Sequence, residues 1–196
     1  MFFEEEVILP DGTITLGIPK DGNYSGNVKL EGFIENDFLL QVQCNNDPDC
    51  IVRRLIVTSP ELAPEETRIM MTWDELPDDL DLHVMSVKKS DNSTCRTYPT
   101  EQKKCQQAAI QGDLDNTEGG LNGAETITLT NKTVNKDYFY VIGVDDYNFD
   151  YDGGENLTHS NAIITVTNGL DTLYNQMPPD VAKPSVHLLV NFANIK

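Results

Sequence analysis

Basic residues are scarce in this chain. Fourteen Lys and Arg stand against 32 Asp and Glu, a formal net charge of -18 over 196 residues. A chain of that sign repels phosphate backbones and anionic bilayers, so nucleic acid is not an expected partner. Long hydrophobic runs are missing as well, and none approaches the roughly 18 apolar residues of a membrane span, so no membrane insertion is expected. Helical periodicity is nearly absent. The three histidines, His83, His159 and His187, form no His-Glu-x-x-His pair. There is no Gly-x-Ser-x-Gly elbow and no phosphate loop. A glycosidase-like carboxylate pair is not singled out among so many acids, and the chain is read as a non-enzyme. The opening Met1-Phe-Phe-Glu-Glu-Glu lacks the basic and apolar regions of a signal peptide. It reads as a chain whose leader has been removed, or as a fragment.

What is present is period-2 alternation. Ile14, Leu16 and Ile18 alternate with Thr13, Thr15 and Gly17, and Phe38, Leu40, Val42 and Cys44 alternate with Leu39, Gln41 and Gln43. Further strand-like runs cover 51–59, 67–73, 81–87, 125–130, 138–144, 161–167 and 185–192. Pro10-Asp-Gly, Lys20-Asp-Gly-Asn, Asn45-Asn-Asp-Pro, Gly119-Gly and Asp152-Gly-Gly punctuate them. Many short strands between Gly/Asn/Asp turns predict an all-β chain of two β-sandwich parts. The parts are 1–60 and 66–170, joined by the proline-bearing Ser59-Pro-Glu-Leu-Ala-Pro stretch. Residues 171–196 read as a linker with Pro178-Pro179 and one C-terminal extension strand. That strand carries Val186, Leu188, Val190 and Phe192 on one face, and such a face needs a partner.

Four cysteines, Cys44, Cys50, Cys95 and Cys105, allow three pairings. The local pairing, Cys44–Cys50 with Cys95–Cys105, closes two short loops, each worth roughly 2–3 kcal/mol by loop entropy. Their spacings lack the C-x2-C of zinc sites. Four acceptor sequons, at Asn23, Asn92, Asn131 and Asn156, lie in polar turn-like stretches. Sequons, an even cysteine count and acidity predict a secreted or cell-surface glycoprotein carrying N-linked glycans.

The acids also have spacing. Asp79 and Asp81 are two apart, so an extended segment projects both to one side. Asp113 and Asp115 repeat that spacing, and Glu125 opens a strand after a Gly-rich turn. Together these five predict a hard-cation site, since Ca²⁺ takes 6–8 oxygen ligands and gathered like charges require neutralisation. The loop is no EF-hand: counting Asp113 as position 1, Glu118 stands where Gly is needed and Ala124 where Glu is needed. A weaker acidic group is Asp145, Asp146, Asp150, Asp152 and Glu155. His83 reads as a partly buried histidine bonding a carboxylate or the backbone rather than as a metal or catalytic residue, and Trp73 as core. Tyr138, Tyr140, Tyr147 and Tyr151 read as packing at a sheet rim.

Two stretches resemble known families. Asp11-Gly-Thr-Ile-Thr-Leu-Gly-Ile-Pro-Lys-Asp-Gly-Asn-Tyr-Ser and Val28-Lys-Leu-Glu-Gly-Phe-Ile resemble the second half of a carboxypeptidase regulatory-like (transthyretin-like) β-sandwich. The family's first strands have no counterpart here. Met71-Thr-Trp-Asp, Asp79-Leu-Asp-Leu-His-Val, Gly112-Asp-Leu-Asp-Asn, and Gly123-Ala-Glu-Thr-Ile resemble an uncharacterised β-sandwich domain of bacterial and protist surface proteins over about 68–167. That resemblance implies fold and setting rather than an activity. The expected role is a structural subunit of an extracellular fibre, appendage or matrix. It would assemble head-to-tail as a homo-oligomer by strand complementation, stabilised by calcium and glycans. The alternative is a calcium-dependent adhesion or carbohydrate-binding module.

Overall fold

The computed structural model describes residues 15–17, 21–44, 47, 49–97, 105–119, 124–131, 136–147, 160–168, 171–176 and 185–190. Ile14, Ile18 and Phe192 lie outside them. Among the described residues there is no α-helix. Eleven strands follow in chain order: β1 Gly22–Val28, β2 Asn36–Val42, β3 Thr67–Thr72, β4 Leu80–Lys88, β5 Thr94–Thr97, β6 Ile110–Leu114, β7 Glu125–Leu129, β8 Tyr138–Asp146, β9 Ile163–Asn168, β10 Asp171–Gln176 and β11 Ser185–Val190. They form a two-stranded sheet β1-β2, a five-stranded sheet β10-β9-β3-β7-β6 and a four-stranded sheet β11-β8-β4-β5. All the registered pairings of the two larger sheets are antiparallel.

Alternation explains why the two larger sheets share one core. Ile69 and Met71 of β3, Ile127 and Leu129 of β7, and Ile164 and Val166 of β9 are buried with Leu80, Leu82 and Val84 of β4 and Tyr140, Ile142 and Val144 of β8. Each strand contributes every second residue, as a strand must when one face packs on a partner sheet. The arrangement is sandwich-like. Tyr140 enters the core because its hydroxyl donates to the carbonyl of Ala108 at 3.0 Å. The Cys95–Cys105 and Cys44–Cys50 disulfides are both formed, each with Cα atoms 5.6 Å apart. Cys105 belongs to the core and Cys95 packs against it. Disulfides persist where thiols are not kept reduced, which fits an oxidising, extracellular setting. No helix among the described residues is long and apolar enough to cross a membrane.

The chain divides into two compact units, Met1–Tyr24 with Leu39–Val52, and Ser25–Phe38 with Arg53–Lys196. The second contains both larger sheets.

Strands β1, β5 and β6 fall outside the strand-like runs of the sequence reading, and three further segments depart from it. The run 51–59 is not a strand; an isolated bridge between Phe33 and Pro60 lies just past its end. Its later part follows the outward face of β3 instead. Arg68 Nη1 donates to Ser59 Oγ at 3.1 Å, and Arg54 pairs with Asp74 just beyond β3. On that same face Met70, Thr165 and Thr167 are buried. Asp171–Gln176, read as linker, is strand β10 on β9, with two residues separating the paired Asn168 and Asp171. It has few apolar residues and no clean alternation, because an edge strand is held mainly by its backbone. Finally, the C-terminal strand is not left over. β11 pairs with β8 of the same chain, from Ser185↔Asp145 to Val190↔Tyr140.

Ile127 is fully buried between Ile69 on its own sheet and the facing strand β4. Ile127→Ala is expected to cost about 2–5 kcal/mol, read as a lowered urea midpoint.

Candidate cation site

Glu125 is the first residue of β7 and shares its inward face with Ile127 and Leu129. Its side chain is therefore directed between the sheets, and it is 0% exposed. Across the gap, the described pairing of β5 with β4 runs from Val87↔Thr94 to Val84↔Thr97, and Leu82 lies just before it on β4. The Leu82 N–H donates to Glu125 Oε2. Glu125 Oε1 is buried without a hydrogen bond of ordinary geometry, the Asn116 amide being the further donor near the carboxyl. Asp79 and Asp81, at the start of β4, bring carboxylate oxygens to the same place. One oxygen from each of Asp79, Asp81 and Glu125 lies within 4.8 Å of the other two. Asp79 Oδ1 is likewise buried and unpartnered.

Two loops fix this geometry. Trp73 is buried, and its indole N–H donates to the Pro77 carbonyl at 2.7 Å, closing the turn ahead of Asp79. Asn116 Nδ2 donates to the Gly119 carbonyl, and the Gly119 amide donates to the Asp78 carbonyl. Gly119 sits at φ 86°, a conformation that favours glycine. The Asp79 carbonyl accepts from Tyr147 N at 3.2 Å, tying in the end of β8.

Electrostatics follow from burial. The Glu125 carboxyl is pushed up to about 9, first by desolvation and then by the charges of Asp81 and Asp115, against the Leu82 and Asn116 amides that favour its charged form. Asp81 is raised to about 6 by burial first and then by Asp79, Asp115 and Asp145, with Arg96 opposing. Asp79 is also raised, by burial and then by Asp115 and Asp78. These acids disfavour one another's charge, and a divalent cation would reverse that. Their oxygens are hard donors that suit Ca²⁺ or Mg²⁺ rather than a soft metal.

Of the five predicted ligands, the structure gathers Asp79, Asp81 and Glu125. Asp115 is exposed at the rim, near enough to raise all three. Asp113 is elsewhere. It accepts from Thr128 Oγ1 and pairs with Arg68 at 3.8 Å on the outward face of the five-stranded sheet. The reason is a register shift between Gly112 and Leu114, which breaks the alternation that would have put Asp113 and Asp115 on one side.

A second network lies on the outward face of β4, β8 and β5. Arg96 Nε donates to His83 Nδ1 at 2.9 Å, and His83 Nε2 is 3.2 Å from Asp145 Oδ2, which Arg96 also binds. His83 is thus buried with Nε2 facing a carboxylate, one of the two partners the sequence left open. Arg96 was missed, because nothing local marks an arginine that joins residues 13 and 49 positions away. Asp145 is engaged here and Asp146 is buried at the end of β8, whereas Asp150, Asp152, Glu155 and Tyr151 lie outside the described residues. Tyr147 is 69% exposed rather than packed. The sequon residues Asn23, Asn92 and Asn131 are all exposed, Asn92 in a turn at φ 57°, and Asn156 is outside the described residues.

The raised carboxyls give a pH dependence of known sign. Without a cation, folded Glu125 keeps its proton to about pH 9, against an ordinary value of 4.5. The folded state then binds more protons than the unfolded state across that window, so stability falls as pH rises through it. Asp81 adds the same trend between 3.8 and about 6. The thermal midpoint of chelator-treated protein is expected to decline over this range, and Glu125→Gln to flatten the slope.

Compared with known proteins, the sequence matches no family model and no curated protein, so both resemblances rest on their motifs alone.

Proposed function

We propose that this chain is an extracellular, non-catalytic β-sandwich module whose acidic end is closed by a divalent cation, calcium by preference. It would serve as a structural unit of a surface fibre, appendage or matrix. The observation that carries the reading is the buried Glu125 carboxylate, with one oxygen on Leu82 N–H and the other unpartnered beside Asp79 and Asp81. A buried acid with a free acceptor is costly unless something donates to it. A cation there would join the start of β4 to the start of β7, one strand from each sheet. Water and the rim acid Asp115 would complete the shell. Such a role is structural, and it suits a module that must keep its shape outside the cell. Glycans at the exposed sequons would add solubility without touching the core.

Assembly through strands has its own support. Among the described strands β11 stands at the edge of its sheet, beside β8, and it follows a connector containing Pro178, Pro179 and Pro184. A strand from a neighbouring copy would take the same register, so head-to-tail linkage would proceed by exchange. The adhesion reading, in which the cation also holds a sugar, has the exposed Tyr147 beside Asp79 in its favour.

Calcium at about a hundred times its dissociation constant should stabilise the fold by about 2.7 kcal/mol. The gain is expected to vanish in Asp79→Asn/Asp81→Asn and in Glu125→Gln. No shift at millimolar calcium, or an equal shift in the variants, would remove the cation reading. For assembly, deleting residues 179–196 should abolish any oligomer seen by light scattering; an unchanged oligomer counts against exchange.

A further inference from the structure

Arg53 and Arg54 are the one adjacent basic pair lying wholly outside a strand among the described residues. The chain before them is open to solvent, with Ile51 80% exposed and Val52 and Arg53 also exposed. Endoproteases bind their substrates as extended chain, much as an added strand, and cut where backbone is free to adopt that form. The other described pair, Lys88-Lys89, is held. Lys88 N donates to Ser93 O at 2.8 Å, Lys89 N donates to Asp137 O at 2.9 Å, and Lys88 is paired in β4 with Tyr138. Lys103-Lys104 lies outside the described residues and inside the loop closed by Cys95–Cys105, so a cut there leaves the chain covalently joined.

Arg54 differs from Arg53 in being engaged. Its guanidinium pairs with Asp74 Oδ1, and the other oxygen of Asp74 accepts from Asn161 Nδ2 at 2.8 Å. Arg54 and Asp74 are each about three-quarters covered, with side chains 25% and 23% exposed. A protease that reads the arginine before the scissile bond must first draw Arg54 away from Asp74.

We propose that Arg53-Arg54 is a processing site for a serine endoprotease of dibasic specificity, with Asp74 restraining it. The Arg54–Leu55 peptide bond breaks by addition of water; Arg54 gains a carboxylate and Leu55 becomes a new amino terminus. Neither disulfide crosses the cut, since Cys44–Cys50 lies before it and Cys95–Cys105 after it. The two pieces would stay together through non-covalent contacts: Ile34 N to Ser59 O at 2.8 Å, Asn36 Nδ2 to Val57 O at 2.9 Å and Glu61 N to Gly32 O at 3.1 Å. Processing therefore yields a two-chain form that denaturation alone separates. The inference rests on the oxidising setting and is independent of the cation site.

The test uses the full chain with a purified subtilisin-like dibasic endoprotease, followed by intact mass and amino-terminal sequencing. The expected first products are 1–54 and 55–196, co-eluting in native size exclusion and separating in denaturant without reductant. Arg53→Ala should block the cut. Asp74→Asn should speed it several-fold while cleavage at Lys88-Lys89 keeps its rate, which separates release of Arg54 from general loosening. No cut after Arg54, a first cut elsewhere, an unchanged rate in Asp74→Asn, or equal acceleration at both sites would overturn the proposal.

Discussion

The Glu125 carboxylate sits where a core residue belongs. It continues the inward-facing row of Ile127 and Leu129 and yet is an acid with no solvent exposure. Its bond to the Leu82 N–H joins the five-stranded sheet to the four-stranded one, two residues before the described β4–β5 pairing begins at Val84. One oxygen satisfies that backbone donor. The other is spare, and Asp79 and Asp81 are held next to it. Charge, burial and strand register all meet at this one carboxyl. Uncharged, it is a modest hydrogen-bonding plug; charged, it needs a cation.

The surrounding structure serves that arrangement. The Trp73–Pro77 bond, the Asn116–Gly119 turn and the Gly119–Asp78 contact hold two loops at fixed positions. The nearby His83–Arg96–Asp145 network solves the same excess of acid differently, by supplying a guanidinium. The two networks adjoin through Asp81, which lies 3.8 Å from His83 Nε2. Within a chain of net charge -18, internal cations are few. Arg54, Arg68 and Arg96 are each placed against a specific aspartate. Isolated surface pairs are worth little. Here the partners are partly covered and further hydrogen-bonded, so they fix the course of segments more than they add stability.

Alternation by itself determined the all-β class and most central strands, because burial on one face imposes a period of two on any sequence. β3, β4, β7, β8 and β9 were legible for that reason, as were Asp79, Asp81 and Glu125 as candidates by residue type and spacing. Tertiary structure alone decided the rest. The register shift at Asp113 parts it from Asp115, and a bulge leaves no mark in a run of acids. The later part of the apolar run 51–59 runs beside the outward face of β3, tied there through Ser59 and Arg54, a course its composition does not distinguish from pairing. β10 and β11 were placed by backbone hydrogen bonds to neighbours, which all sequences offer alike. Arg96 met His83 and Asp145 only because three strands lie side by side, a proximity that separation along the chain conceals.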